Sequence, residues 1–238
     1  MCSRQHDEWL ERLPEAVDDA ELVVLNGDVV DGYRRLHRQA EIDLVARLAE
    51  LVTGWRREGR SVVYVEGNHD SRLPETVSLR PDRWLHDFET DQGERVRVLH
   101  GHRFEPGMFR PGVYERAGGR LLAVENRVYG RVAALRSLYR FGPGWLASAI
   151  GSAECRLDRH RLPNRLASLL DDTDIVVHGH IHFGPGRTEA QGRPCWRSGG
   201  WVSAGQPGAA DRMLRYRRGR FERIGWSGRS WRAFDDGR

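Results

Sequence analysis

Four short apolar runs constrain this chain more than any other feature, because each one stops at side chains able to hold a metal ion. Glu21–Asn26 breaks off at Gly27-Asp28, and Ser61–Val65 leads into Gly67-Asn68-His69-Asp70. Arg95–Leu99 ends at His100-Gly101-His102, and Asp174–Val177 ends at His178-Gly179-His180-Ile181-His182. A short apolar run such as Leu22–Leu25 is how a buried parallel strand reads, and the other three are read alike. In open α/β sheets the carboxyl ends of such strands converge on one crevice, where ligands bind. Asp28, Asp31, Asn68, His69, Asp70, His100, His102, His178, His180 and His182 are therefore expected to meet in space, far apart though they are in sequence.

The segments between the runs suit an α/β domain. Residues 8–19 read as a short helix limited by Pro14. Leu36, Ala40, Leu44, Leu48, Leu51 and Trp55 fall at helical spacing over 36–58, and Gly59 closes that stretch. Segments around Cys195–Val202, Met213–Tyr216 and Arg220–Trp226 read as a terminal antiparallel ladder. Residues 103–170 interrupt the strand pattern. They read as helical outside 106–112, with a break at Gly142-Pro143-Gly144, and form an insertion within a single domain spanning 1–238.

Composition excludes several classes. At 238 residues, 39% hydrophobic and 30% charged, the chain can bury a core and is not a disordered segment. It has no apolar run long enough to span a membrane and no basic-then-apolar leader at its start. Cys2, Cys155 and Cys195 are odd in number and widely spaced, which excludes a disulfide framework or a cysteine zinc site and suits a reducing cytoplasm. All 38 basic residues are Arg, the signature of a GC-rich genome, and the net charge of +4 does not demand a nucleic-acid partner.

The donor set at the strand ends mixes imidazole nitrogens with carboxylate and amide oxygens. It suits Mn, Fe or Zn better than the oxygen-only sites of Mg or Ca. Each piece alone has an ordinary reading: Gly-Asp after a strand is usually a turn, and Gly-Asn-His-Asp contains residues that turns favour. The His178, His180, His182 alternation is harder to explain that way, since three imidazoles packed together must stay neutral or bind metal. Turns do not account for all four pieces occurring in this order at consecutive strand ends.

Gly27-Asp28-Val29-Val30-Asp31, Gly67-Asn68-His69-Asp70, His100-Gly101-His102 and Gly179-His180-Ile181-His182 resemble the calcineurin-like metallophosphoesterases, which show GDxxD, GNH[DE], a lone His and GHxH in that order. The resemblance runs from about residue 20 to about 205. It implies a four-layer α/β/β/α sandwich of two mixed sheets flanked by helices, and two divalent metal ions, Mn with Fe or Zn as alternatives. Asp28 would bridge the ions, Asn68, His100 and His180 would complete one, and His182 would join Asp28 on the other. His69 would face the scissile phosphate and Asp70 would orient it, with Asp31, His102 and His178 supporting the ligands from behind. The chemistry implied is hydrolysis of a phosphomonoester, phosphodiester or pyrophosphate by a metal-activated hydroxide.

The family opens with a strand ending in D-x-H, which this sequence lacks; Met1-Cys2-Ser3-Arg4-Gln5-His6-Asp7 has the residues in the wrong order and no apolar run before them. Two expectations follow. Either the chain begins upstream of Met1, which the loss of a central strand favours, or it is a one-metal member in which His6 or Asp7 substitutes. A catalytically impaired or truncated member would act as a phospholigand-binding or regulatory module.

The insertion bears on the substrate. Residues 103–170 hold twelve Arg against five acidic residues, and Arg116, Arg120, Arg127 and Arg131 fall near one helical face. Such a face could grip phosphate bidentately, or simply be a solvated surface. Its aromatic neighbours allow a lipid-linked substrate or peripheral membrane contact as well as a phosphorylated small molecule. A nuclease is the less favoured reading. A helical insertion before GHxH, with Ser198-Gly199-Gly200-Trp201 after it, is similar to the UDP-2,3-diacylglucosamine pyrophosphatases. His69 and His102 depart from their GNRD and His-Gly-Asp.

Overall fold

The computed structural model describes residues 3–29, 39–68, 70, 78–104, 162–180, 185–199 and 212–234. They form a mixed α/β structure with three sheets. The first sheet pairs β1 (Leu22–Asn26) with β2 (Ser61–Val65) in parallel, Leu22 opposite Ser61 and Asn26 opposite Val65. Parallel partners need a crossover. Helix α2 (Gln39–Arg57) lies within that connection and turns Val45, Leu48, Val52 and Trp55 into the core at i, i+3, i+7 and i+10. Its end is a Schellman cap, with Gly59 at φ +88° and hydrogen bonds from Gly59 N to Arg56 O and from Arg60 N to Trp55 O.

Helix α1 spans Ser3–Ala16, so it begins and ends earlier than the expected 8–19. Pro14 sits in its last turn, where a missing N–H removes only one helical bond. His6 and Asp7 lie within this helix. Trp9, Leu10 and Leu13 pack with Val23, Leu25, Val62, Tyr64 and the buried face of α2.

The five-stranded sheet runs β3-β4-β5-β7-β6, with β3 (Leu85–Glu89), β4 (Arg95–Leu99), β5 (Ile175–His178), β6 (Gly186–Ala190) and β7 (Arg193–Arg197). Its central strands β4, β5 and β7 are parallel, and the outer strands β3 and β6 are antiparallel to their neighbours. The third sheet runs β10-β9-β8, with β8 (Arg212–Arg217), β9 (Arg220–Trp226) and β10 (Trp231–Ala233), all antiparallel. Gln191-Gly192 and Arg218-Gly219 close the two tight hairpins with consecutive positive φ angles, as the right-handed strand twist requires.

One sequence expectation is corrected here. The Cys195 segment does not belong to the terminal ladder. It forms β7, parallel to β5, with Val176 opposite a fully buried Cys195. Its parallel pairing with β5 leaves no local signature, and its hairpin partner β6 is an edge strand without apolar rhythm, so nearness in sequence to the tail strands points the wrong way. The Met213 and Arg220 strands do pair with each other as expected.

Val96, Val98, Ile175 and Val177 form a second core, against which Val24 of β1, Leu214 of β8 and Phe221 of β9 pack. This core lies between the five-stranded sheet and the other two. The opposite face of β5 and β7 buries Val176 and Cys195 against a helical stretch at 162–169 through Leu162, Leu166 and Ala167. Leu166→Ala is expected to destabilise the fold by about 3 kcal/mol, measured by urea unfolding, because Leu166 is 0% exposed and the cavity is lined on all sides.

Most of the expected insertion, and with it Arg116, Arg120, Arg127 and Arg131, lies outside the described residues. Among the described residues no helix is long and apolar enough to cross a membrane.

Candidate metal centre

The carboxyl ends of β1, β2, β4 and β5 do converge. Asp28, His100 and His180 each place a ligand atom within 4.8 Å of the others'. Asp28 and Asn68 arrive on the loops after β1 and β2, His100 and His180 on those after β4 and β5. The meeting point is thus at the seam between two sheets.

Glycines make the approach close enough. Gly27 follows β1 at φ +74°, and a Cβ there would lie 2.2 Å from His100 Nδ1. Gly67 follows β2, and a Cβ there would lie 2.2 Å from the backbone nitrogen of Asp28. Asp28 itself takes φ +53° and His180 takes φ +65°, the left-handed region that a non-glycine residue enters only under constraint. Gly27→Ala is expected to push the His100 ring out of place and lower the bound metal per chain at least tenfold at limiting metal. Elemental analysis checks this; full metal content would show that the ring relaxes freely.

The constraint on Asp28 is visible. Asp70 is buried, and its Oδ2 accepts hydrogen bonds from Asp28 N at 2.7 Å and Gly67 N at 2.8 Å. Its Oδ1 accepts the hydroxyl of buried Tyr64. One carboxylate therefore clasps the β1 and β2 loops together from beneath.

His100 is presented with one nitrogen committed. Its Nδ1 lies 3.0 Å from the carbonyl oxygen of Asn26 and donates to it, leaving Nε2 to carry the lone pair. That Nε2 lies 3.0 Å from Asp28 Oδ2 and 3.2 Å from Asn68 Oδ1. Asn68 Oδ1 also lies 3.0 Å from His180 Nδ1. Burial pulls the His100 pKa down, but the Asp28 carboxylate and the hydrogen bonds outweigh it, and the net shift is upward. The carboxylate that attracts a proton to His100 would attract a metal ion too, and the two compete for Nε2.

His102 behaves differently. Burial, then the neighbouring His100 and His180 imidazoles, lower its pKa to about 3, so it is neutral at working pH. Its ring centroid is 5.4 Å from that of His100, and its buried Nδ1 has no hydrogen-bond partner among the described residues. His178 is fully buried behind the loop, and burial lowers its pKa to about 4 while Nδ1 faces Gly179 O at 3.2 Å. His69, His182 and Asp31 lie outside the described residues.

The residues present fit a metal ion. Donor atoms about 2.1 Å from one ion lie about 3.0–3.4 Å apart at octahedral to tetrahedral angles. The three contacts among Asp28, Asn68, His100 and His180 measure 3.0, 3.2 and 3.0 Å. The mixed nitrogen and oxygen donors match a borderline transition metal. Asn26 Oδ1, at the same strand end, is a buried acceptor with no partner among the described residues.

Sequence reasoning missed two contributors. Asn26 fixes the His100 tautomer through its backbone carbonyl and reaches Ser198 with its amide. Its only signal is a polar residue ending an apolar strand. Tyr64 holds Asp70, yet in the sequence it reads as core.

A solved structure of a conserved uncharacterized protein from Streptococcus pneumoniae, described as a predicted phosphoesterase, is 12% identical, with 98% of this chain and 90% of that chain covered and a TM-score of 0.38. A search of curated proteins finds no match. The sequence profile of the calcineurin-like phosphoesterases matches residues 2–184, which takes in all four strand-end motifs. A match over most of the length, on a mixed α/β fold with clustered Asp, Asn and His donors, places the chain among the calcineurin-like phosphoesterases, metal-dependent hydrolases of phosphate esters.

Proposed function

We propose that this chain hydrolyses a phosphomonoester, phosphodiester or pyrophosphate of a small or lipid-linked molecule, with the strand-end cluster as its reaction centre. The observation that carries this reading is the mutual contact of Asp28, Asn68, His100 and His180 on four separate loops. Asp28, Asn68, His100, His180 and His182 would hold two divalent ions, with Mn favoured and Fe or Zn as alternatives. When bound, such ions supply charge neutralisation at the phosphoryl oxygens and an acidified water.

The chain's own residues supply the rest. Asn26 accepts the proton-bearing His100 Nδ1, which would leave Nε2 to hold an ion. Asp70 holds Asp28 and Gly67 in register. His69, between Asn68 and Asp70 in the sequence, is proposed to hydrogen-bond the scissile phosphate and give a proton to the leaving oxygen. His102 packs beside His100, and His178 and Asp31 are proposed to support the ligands. Arg116, Arg120, Arg127 and Arg131, within the proposed 103–170 insertion of a single domain, would contact substrate phosphates. Cysteine usage supports a cytoplasmic location.

The test is a hydrolysis panel of phosphomonoesters, phosphodiesters and diphosphates with the Mn-loaded chain, alongside His180→Ala. Turnover by the parent that falls more than about a hundredfold in the variant, with an unchanged far-ultraviolet spectrum, supports the reading. A fully metal-loaded parent that binds phosphate esters but hydrolyses none overturns it and leaves a phospholigand-binding module.

A further inference from the structure

A surface feature that the proposed hydrolysis does not use is tied to the loops that carry the metal-centre residues. Trp84 is 40% exposed, although a tryptophan normally buries most of its ring. The Arg103 guanidinium carbon stands 5.3 Å from the centre of that ring. Arg103 is held there by an ion pair with Glu66, while its own side chain remains 49% exposed. The indole is thus set in place by a cation over its ring, with much of its surface open to solvent.

Both groups belong to the loops that build the centre. Glu66 directly precedes Gly67-Asn68, and its backbone N–H donates to Arg83 O at 2.8 Å, next to Trp84. Arg103 directly follows His102, whose ring packs 5.4 Å from His100. Trp84 is therefore tied to the Asn68 loop through its neighbour and to the His100 loop through Arg103. An exposed aromatic ring backed by a guanidinium is a stacking platform for flat π-systems, and it needs no particular hydrogen-bond pattern.

We propose that Trp84 and Arg103 form a leaving-group subsite, which stacks a planar aromatic group of a phosphoester whose phosphate lies at the metal centre. The inference rests on the phosphohydrolase reading and narrows it to substrates carrying a nucleobase or similar flat ring.

The experiment compares adenosine 5′-monophosphate with glycerol 3-phosphate, and the methyl diesters of both, so that every leaving group is an alkoxide. Kinetics are measured on the Mn-loaded parent, Trp84→Ala and Trp84→Phe. Adenosine 5′-monophosphate and glycerol 3-phosphate are also titrated calorimetrically against all three proteins. Trp84→Ala is expected to raise KM for the base-bearing ester about tenfold more than for the glycerol ester, with little change in kcat, and Trp84→Phe to recover most of it. The binding titrations should show the same tenfold difference. Equal effects on both esters, or none, overturn the subsite while leaving the hydrolase reading intact. If no ester is hydrolysed, that reading fails by itself, and the titrations still decide whether Trp84 selects the flat group.

Discussion

Asp28→Ala is expected to remove turnover and metal together while leaving the fold in place. Asp28 touches His100 Nε2 at 3.0 Å and belongs to the one titratable cluster with ligand spacing among the described residues. It is also the only anion in that cluster. Among the described residues, removing it leaves two imidazoles and an amide oxygen, a neutral set that holds a divalent ion weakly. Loss of a residue behind a ligand lowers metal affinity or activity by about 10–100-fold, so loss of this ligand should exceed about a hundredfold. The fold should survive, because Asp70 grips the backbone nitrogen of residue 28, which the substitution keeps. Elemental analysis, initial rates and a melting curve in chelator check the three parts. Retained metal with lost turnover would move Asp28 from ion holding to substrate contact.

Asp70→Ala should act in the opposite order, on stability first. Its carboxylate accepts from two backbone N–H groups and the Tyr64 hydroxyl, in a pocket closed to water. Alanine leaves three buried donors without acceptors, each worth about 1–3 kcal/mol. A loss of about 4 kcal/mol is expected in urea unfolding, a large share of the about 5–15 kcal/mol typical of a domain. Tyr64→Phe removes one donor along with its bond, so it should lose only about 1 kcal/mol. If the two variants unfold alike, Asp70 is not the clasp described above.

Much of this was legible in the sequence, for a physical reason. Strand β2 is buried on both faces from Val62 to Val65, so it had to be an apolar run, while β1 and β4 alternate buried with less buried positions; the ends of all three were readable to within a residue. Strands β3, β6 and β10 were not legible. Each lies at the outer edge of its sheet, where charged side chains discourage pairing with other chains, and Leu-His-Asp-Phe-Glu or Gly-Arg-Thr-Glu-Ala carries no apolar rhythm. The converging donors could be anticipated because strand ends in α/β proteins share an edge. The Asn26 carbonyl and the Tyr64 hydroxyl could not: a backbone oxygen has no letter in the sequence, and a buried tyrosine looks like any core aromatic.

The seam position of the centre has a mechanical consequence. Asp28 and Asn68 are mounted on one sheet, and His100 and His180 on another. Between the two mounts packs an apolar layer, with Val24 on one side and Val98 and Val177 on the other. Close-packed interiors transmit a methylene's worth of volume rather than absorbing it. The molecule therefore works as a calliper whose jaws are the two donor pairs and whose screw is the valine layer between them. If the strand-end donors hold ions as proposed, their spacing can be retuned from the interior, by residues outside the donor set.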